Sequence, residues 1–200
     1  MSWNTTLFMS LNASEQPGGA MLLAAELAAI GPVLLAPVLL TCLWIWGAPN
    51  RRAALLATAA GLFVGQALNL LVGLAWYEPR PFMAGIGHTW IVHTPDNGFP
   101  SDHTTLGFSL GLGLVLTGAS RNWGTAACLA ALSAGWARVY LGVHFPVDVF
   151  AAVPAGMLAA LTARWLLPAA TSIAPPAERL YAGLLAHLPA WLPVPRKEQP

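Results

Sequence analysis

Five runs of apolar residues organise this chain, at residues 20–46, 53–76, 103–119, 123–140 and 146–167, and the segments between and beyond them hold most of its charge. Each run is near the ~20 residues that an α-helix needs to cross a hydrocarbon core of ~30 Å. The pattern predicts an all-α membrane protein, a helical bundle of about five transmembrane helices. Residues 1–14 place Trp3, Leu7, Phe8 and Leu11 roughly on one helical face, which predicts an interfacial helix ahead of the first span. No Lys or Arg precedes the first run, so the basic start of a cleaved signal peptide is missing. After Leu167 the chain is punctuated by proline. Residues 177–188 read as a second interfacial helix carrying Glu178, Arg179 and His187; Pro175, Pro176, Pro189 and Pro193 leave only a short unbroken run for a sixth span, which stays possible. The expected organisation is one domain over 1–200, with an interfacial segment at 1–19, a transmembrane core at 20–167 and a cytoplasmic interfacial tail at 168–200.

Composition sharpens this reading. With 56% hydrophobic and 8% charged residues and a mean hydropathy of +0.62, the 200 residues are too apolar for a soluble globule. They also lack the alternation of a membrane barrel. The net charge of +1, with no dense Lys/Arg cluster, sets nucleic acid aside as a partner. Cys42 and Cys128 lie in apolar runs, away from each other and from any His at ligand spacing, so neither a disulfide nor a metal site is expected.

Basic residues give an orientation. If the first span starts outside, Arg51, Arg52, Arg121, Arg164, Arg179, Arg196 and Lys197 fall on the cytoplasmic side, and only Arg80 and Arg138 are left outside. The same topology brings the segment at 76–101, the end of the fourth run and the start of the fifth to one membrane surface. Those are the segments that carry candidate chemistry.

In Phe99-Pro100-Ser101-Asp102-His103, Pro and Ser directly before an apolar run predict a helix start with Ser101 as N-cap, and a helix N-terminus is suited to phosphate. Taken alone, Ser101 and Asp102 read first as plain caps of the third span. His103 adds an ionisable ring at the mouth of a span, a functional candidate by default. In Arg138-Val139-Tyr140-Leu141-Gly142-Val143-His144-Phe145-Pro146-Val147-Asp148, Pro146 suits the first turn of the fifth helix, from which the Asp148 carboxylate can reach back to His144. That contact would fix the imidazole tautomer and leave the other ring nitrogen free to attack phosphorus. An N-terminal carboxylate favoured by the helix dipole, beside an exposed His, is the plainer alternative.

Arg80-Pro81, Pro-Ser-x-His and Arg-x5-His-x3-Asp, in this order, resemble the three signature motifs of the type 2 phosphatidic acid phosphatase superfamily, over about residues 69–160. The stretches Tyr77-Glu78-Pro79-Arg80-Pro81-Phe82, Phe99 to Thr105 and His144 to Val149 look like the bacitracin-resistance type of bacterial undecaprenyl-diphosphatase. The resemblance implies a helical membrane phosphatase without metal or other cofactor, in which His144 is the nucleophile, Asp148 orients it and His103 protonates the leaving oxygen. Arg80, Arg138, Ser101 and Asp102 would bind the phosphate. It implies a polyprenyl diphosphate lipid as substrate, membrane lipids as surroundings, and a bacterial cell membrane with the site facing outward; nothing points to an obligate protein partner. Three positions depart from the family pattern. Gly73 stands where the first motif has Lys, Asp102 where the second has Gly, and Ala137 where the third has Ser.

Other residues have open readings. Glu26 lies inside the first span, where a carboxylate must be near the surface, paired or protonated, and it is a candidate for support of the site near the lipid head group. Glu78 is expected either to pair with Arg80 or Arg138 or to be a solvated loop charge. His88 and His93, near Trp90 and Ile91, read as parts of an interfacial lid or anchor, with His93 the better candidate for support of the site. The motifs read phosphate more than lipid, so phosphatidylglycerol phosphate, phosphatidate or lipid A remain alternative substrates. A small transporter or lipid-binding protein is the non-enzyme alternative. It would call for ionisable groups at mid-bilayer depth, whereas here they gather at span ends.

Overall fold

The computed structural model describes residues 2–187, which form six α-helices: α1 (Trp3–Leu11), α2 (Gly19–Trp46), α3 (Arg52–Ala75), α4 (Asp102–Leu116), α5 (Arg121–Tyr140) and α6 (Pro146–Ala186). Each of the five apolar runs coincides with one of α2 to α6. Three helical stretches are long and apolar enough to cross a membrane by themselves, Gly19–Trp46, Pro49–Ala75 and Pro146–Ala186. The other two differ from the expectation of five like spans. At 15 residues, α4 is about 22 Å long. It packs against α2, α3, α5 and α6, so it meets protein on nearly every side and needs no lipid-facing length. The 20 residues of α5 are less apolar because its buried side is made of small residues.

Small side chains set the packing. On α5, Gly124, Ala127, Ala131, Ala134 and Arg138 are buried at spacings of three and four, one stripe of the helix. The matching stripe on α2 is Ala25, Ala29, Pro32, Ala36 and Leu39. The opposite face of α2, with Leu23, Leu27, Ile30, Leu34 and Val38, is exposed, as a lipid-facing surface must be. Close approach of backbones is what such stripes permit. At Gly107 of α4 a Cβ would come within 2.7 Å of the Ala131 Cβ on α5, so even alanine would push these helices apart.

The C-terminal part departs from expectation. No break follows Leu167: α6 runs unbroken for 41 residues through Pro154, Pro168, Pro175 and Pro176. At about 61 Å it is twice the hydrocarbon thickness, so it extends well beyond a single span. Tertiary contacts hold that extension and offset the prolines: Tyr181 meets Trp44 edge-on at 6.2 Å, the Arg52 guanidinium lies over both rings at 5.2 Å from each centroid, and its Nη1 is 3.7 Å from Glu178. The residues after 187 in the expected tail, among them Arg196 and Lys197, lie outside the described residues.

At the other end, α1 docks across the bundle as the N-terminal pattern suggests. Phe8 is fully buried and meets Phe145 edge-on at 5.2 Å, while Trp3 stacks on Phe150. Asn4 Oδ1 accepts from the Val147 N–H, and the Asn12 side chain bonds both His88 backbone groups and the Tyr140 carbonyl. Thus α1 braces the turn between α5 and α6.

Candidate active site

Local geometry of that turn places His144. Gly142 has φ +81°, a left-handed conformation, and a Cβ there would run into the His88 carbonyl. The turn folds back under the end of α5, where the Arg138 carbonyl accepts from both the Val143 and His144 N–H groups. One residue later α6 begins. Asp148 Oδ2 accepts from the Phe145 N–H at 2.8 Å and lies 3.3 Å from His144 Nδ1. The carboxylate therefore caps the helix and orients the imidazole, and the two readings of Asp148 merge.

Residues 76–101 supply the opposing wall. Asn97 ties this segment together: its Oδ1 accepts from the Glu78 and Phe99 N–H groups, and its Nδ2 donates to the Gly73 and Trp76 carbonyls. Arg80, held by that frame, is buried and fully engaged. Its Nε donates to Asp96 Oδ1 at 2.8 Å, Nη2 to the Asn97 carbonyl at 3.1 Å, and Nη1 to the Val143 carbonyl at 3.0 Å and to His144 Nε2 at 2.9 Å. Arg138 is equally buried but less engaged. Its Nη2 faces His93 Nε2 at 2.8 Å and His144 Nε2 at 3.4 Å, and its Nε has no partner.

These contacts define the imidazole chemistry. An ionised Asp148 can only accept from His144 Nδ1, and guanidinium groups can only donate to Nε2, so the tautomer consistent with both carries its proton on Nδ1 and a lone pair on Nε2. Burial first, then the positive charge of Arg138 and Arg80 and the nearby His93 and His103, hold the His144 ring well below its usual value. The ring is neutral at pH 7, which is the state a nucleophile requires. The same partner logic assigns a Nδ1–H tautomer to His93, whose Nδ1 lies 3.0 Å from the Thr94 carbonyl.

The structure thus brings Arg80, Arg138, His144 and Asp148 into contact, with His103 on the first turn of α4 within electrostatic range of His144. Ser101 occupies the N-cap position but does not cap through its side chain. It is buried, its Oγ pairs with Thr104 Oγ1, and its N–H donates to the Asp148 carbonyl, which ties α4 to α6. Asp102 turns toward α3, where Asn69 Nδ2 donates to its Oδ1 at 2.8 Å. Glu78 does not pair with either arginine: its Oε2 accepts from Trp76 Nε1, and Asp96 takes the place expected for it beside Arg80. Glu26 follows Ala25, which packs with Ala137 and Leu141 near the site, but it is only half-buried. His88 acts through its backbone, on Asn12.

Asp96 and Asn97 were not singled out by sequence. Asp-Asn-Gly between Pro95 and Pro100 reads only as a turn, and its link to Arg80 spans sixteen residues. The position of Gly73 is also informative. It lines a 330 Å³ cavity with Asn69, Asp96, Asn97 and Asp102, and its would-be Cβ faces Asn97 Nδ2 at 3.0 Å. An amide stands where the motif would bring a cation.

Comparison with known proteins gives the family. The chain is 33% identical over 162 residues to YbjG of Escherichia coli (strain K12), which is named provisionally as an undecaprenyl-diphosphatase; the match covers 80% of this chain and 81% of that one. It is 34% identical over 112 residues to the undecaprenyl-diphosphatase BcrC of Bacillus subtilis (strain 168), covering 56% and 57% of the two chains. In fold it is similar to the crystal structure of LpxE from Aquifex aeolicus, with a TM-score of 0.66, 22% identity, and coverage of 82% of this chain and 95% of that one. Residues 52–172, from the start of α3 into α6 and including every residue of the histidine–arginine cluster, match the PAP2 superfamily, and the chain belongs to that superfamily.

Proposed function

We propose that this protein is a membrane lipid phosphatase that hydrolyses undecaprenyl diphosphate to undecaprenyl phosphate and inorganic phosphate at the extracytoplasmic face of the bacterial cell membrane. The observation that carries this reading is the pair of opposed contacts on one buried imidazole: a carboxylate at Nδ1, and two guanidinium groups converging on Nε2. The similarity to YbjG and BcrC supports the polyprenyl diphosphate as substrate. Outward orientation is supported by Arg51, Arg52 and Arg121 at the opposite end of the bundle.

In the proposed mechanism the terminal phosphoryl group enters between His144 and the arginines, and its oxygens take over the guanidinium hydrogens now directed at Nε2. The Nε2 lone pair attacks phosphorus in line with the bridging oxygen. The bond from that oxygen to the terminal phosphorus breaks, its electron pair stays on the departing lipid phosphate, and His103 donates a proton there. Asp148, at the Nδ1–H, stabilises the positive charge that phosphorylation puts on the ring. Water, deprotonated by His103, then attacks the phosphohistidine. The P–N bond breaks, its pair returns to Nε2, and inorganic phosphate leaves. Little covalent work is asked of the protein beyond the nucleophile, so charge stabilisation by the arginines is a large share of the rate.

The test is phosphate release from undecaprenyl diphosphate by the detergent-purified protein in EDTA, with His144→Ala as control and phosphatidylglycerol phosphate and phosphatidate as competing substrates. EDTA-resistant release that vanishes in the variant is expected. Preference for a monophosphate lipid would move the substrate and keep the histidine chemistry; full activity of His144→Ala would overturn the mechanism.

A further inference from the structure

His93 has no part in the mechanism above, yet its ring is built into the site. Its Nε2 meets Arg138 Nη2 at 2.8 Å, its Nδ1–H is directed at the Thr94 carbonyl, and its ring stands edge-on to His144 with centroids 6.5 Å apart. Phe82 backs it at 6.5 Å. Among the described residues the bond that keeps Nε2 unprotonated is the one from Arg138, and of the two arginines of the site Arg138 is the one with a hydrogen to spare: its Nε is buried without a partner. A phosphoryl group seated against His144 gives Arg138 anionic acceptors stronger than an imidazole. The guanidinium would then turn to the phosphate, and the His93 lone pair would be left facing an anion.

We infer that His93 is a further phosphate-binding residue, which becomes a cation only in the complex, by taking a proton from solvent on Nε2 when the substrate draws Arg138 away. The inference rests on the phosphatase reading and deepens it: His93 supplies the positive charge that Gly73 does not. Every charged group around the ring fits the switch. Arg80, from the segment after α3, and Arg138, from α5, disfavour its charge; Asp96, on its own loop, favours it; His103 from α4 and His144 from the α5–α6 turn complete the surroundings. In the empty site burial, the largest cause, together with the two arginines outweighs Asp96 and the Thr94 bond, and the ring stays below the usual imidazole value. An anion that neutralises both arginines removes the second of those causes. A neutral resting ring also avoids a second cation in direct contact with Arg138 while the site is empty.

The test uses inorganic phosphate with the full-length protein in detergent. Calorimetric titration at pH 7 in two buffers of different ionisation enthalpy counts the protons taken up. The parent is expected to take up more protons than His93→Gln, by a difference approaching one. Gln can still accept from Arg138 through its Oε1 but cannot be charged. Phosphate binding by His93→Gln should be about tenfold weaker than the parent at pH 6.5, with the gap closing as the pH rises past the titration of the bound ring. A Gln variant that binds phosphate as tightly as the parent, with the same proton count, would reduce His93 to a prop for Arg138 and overturn the inference. Ring nitrogen-15 NMR of the parent needs no variant: a His93 ring that stays neutral in the phosphate complex would also overturn it. If undecaprenyl diphosphate is not hydrolysed but phosphate still charges His93, the substrate assignment falls and this role stands.

Discussion

Three arginines are buried among the described residues, one at each of two very different addresses and a third beside the second. Arg52, at the end where α3 begins, lies 5.2 Å from the ring centroids of both Trp44 and Tyr181, donates to the Trp44 carbonyl and sits near Glu178. Its charge is matched by aromatic quadrupoles, a carbonyl and a carboxylate. At the other end Arg80 and Arg138 bond to one carboxylate, Asp96, and to four uncharged acceptors, the Val143 and Asn97 carbonyls and the His144 and His93 rings. Burial of an arginine therefore has two meanings here. Matched charge fastens α6 to the bundle; unmatched charge makes a place for an anion.

That contrast can be broken by mutation. The largest effect is expected at the acceptor of the unmatched pair: His144→Ala should lower kcat by about 10⁴-fold or more, with no phosphoenzyme trapped by acid quench. Arg138→Ala should follow, with kcat/KM down by about 10²–10³-fold and a thermal transition within a few degrees of the parent, because the site loses a charge that no carboxylate among the described residues pairs directly. Arg52→Ala should do the reverse. It loses two cation–π contacts of roughly 0.5–2 kcal/mol each, so the transition measured in detergent should drop clearly while kcat/KM of the folded protein stays within about threefold. A normal transition with lost activity in Arg52→Ala would erase the distinction between the two ends.

Asp148→Asn is expected to be intermediate in activity and small in stability. Its amide can still accept from the Phe145 N–H through Oδ1, but it stabilises the charged ring poorly, so kcat should fall by about 10²-fold with KM little changed. The smallest effect is on the pH dependence of stability. His93 and His144 both stand below the usual 6.5 in the folded protein. Below that value the unfolded chain binds protons that the folded one does not, so their contribution is fully present above pH 6.5 and is lost as the pH falls through the window beneath it. Thermal transitions recorded from pH 7.5 to 5 should decline on the acid side, and His144→Gln should flatten the decline. A transition that rises on acidification would mean these rings are charged when folded.

Part of this was legible in the chain. Apolar run lengths located the helices because a membrane solvent leaves few other structures possible. Proline and Asp at 146 and 148 marked the start of α6 because a helix N-terminus favours both. Burial of α4, by contrast, depends on four neighbours that no local pattern announces. The continuation of α6 past Leu167 was hidden for a similar reason: prolines weaken a helix locally, and what holds the extension is the contact of Tyr181 with Arg52 and Trp44, more than a hundred residues earlier.

The sequence by itself determined which residues are present for chemistry and near which helix ends they fall, since motif spacing and helix-end preferences act over a few residues. Only the tertiary structure decided their partners. Asp96 rather than Glu78 meets Arg80, Asn69 claims Asp102, Ser101 turns to Thr104, and His93 reaches Arg138 across 45 residues of chain. Hydrogen bonds are directional and short, and which donor meets which acceptor is set by how the backbones cross, a quantity that belongs to the packed bundle and to no segment of it.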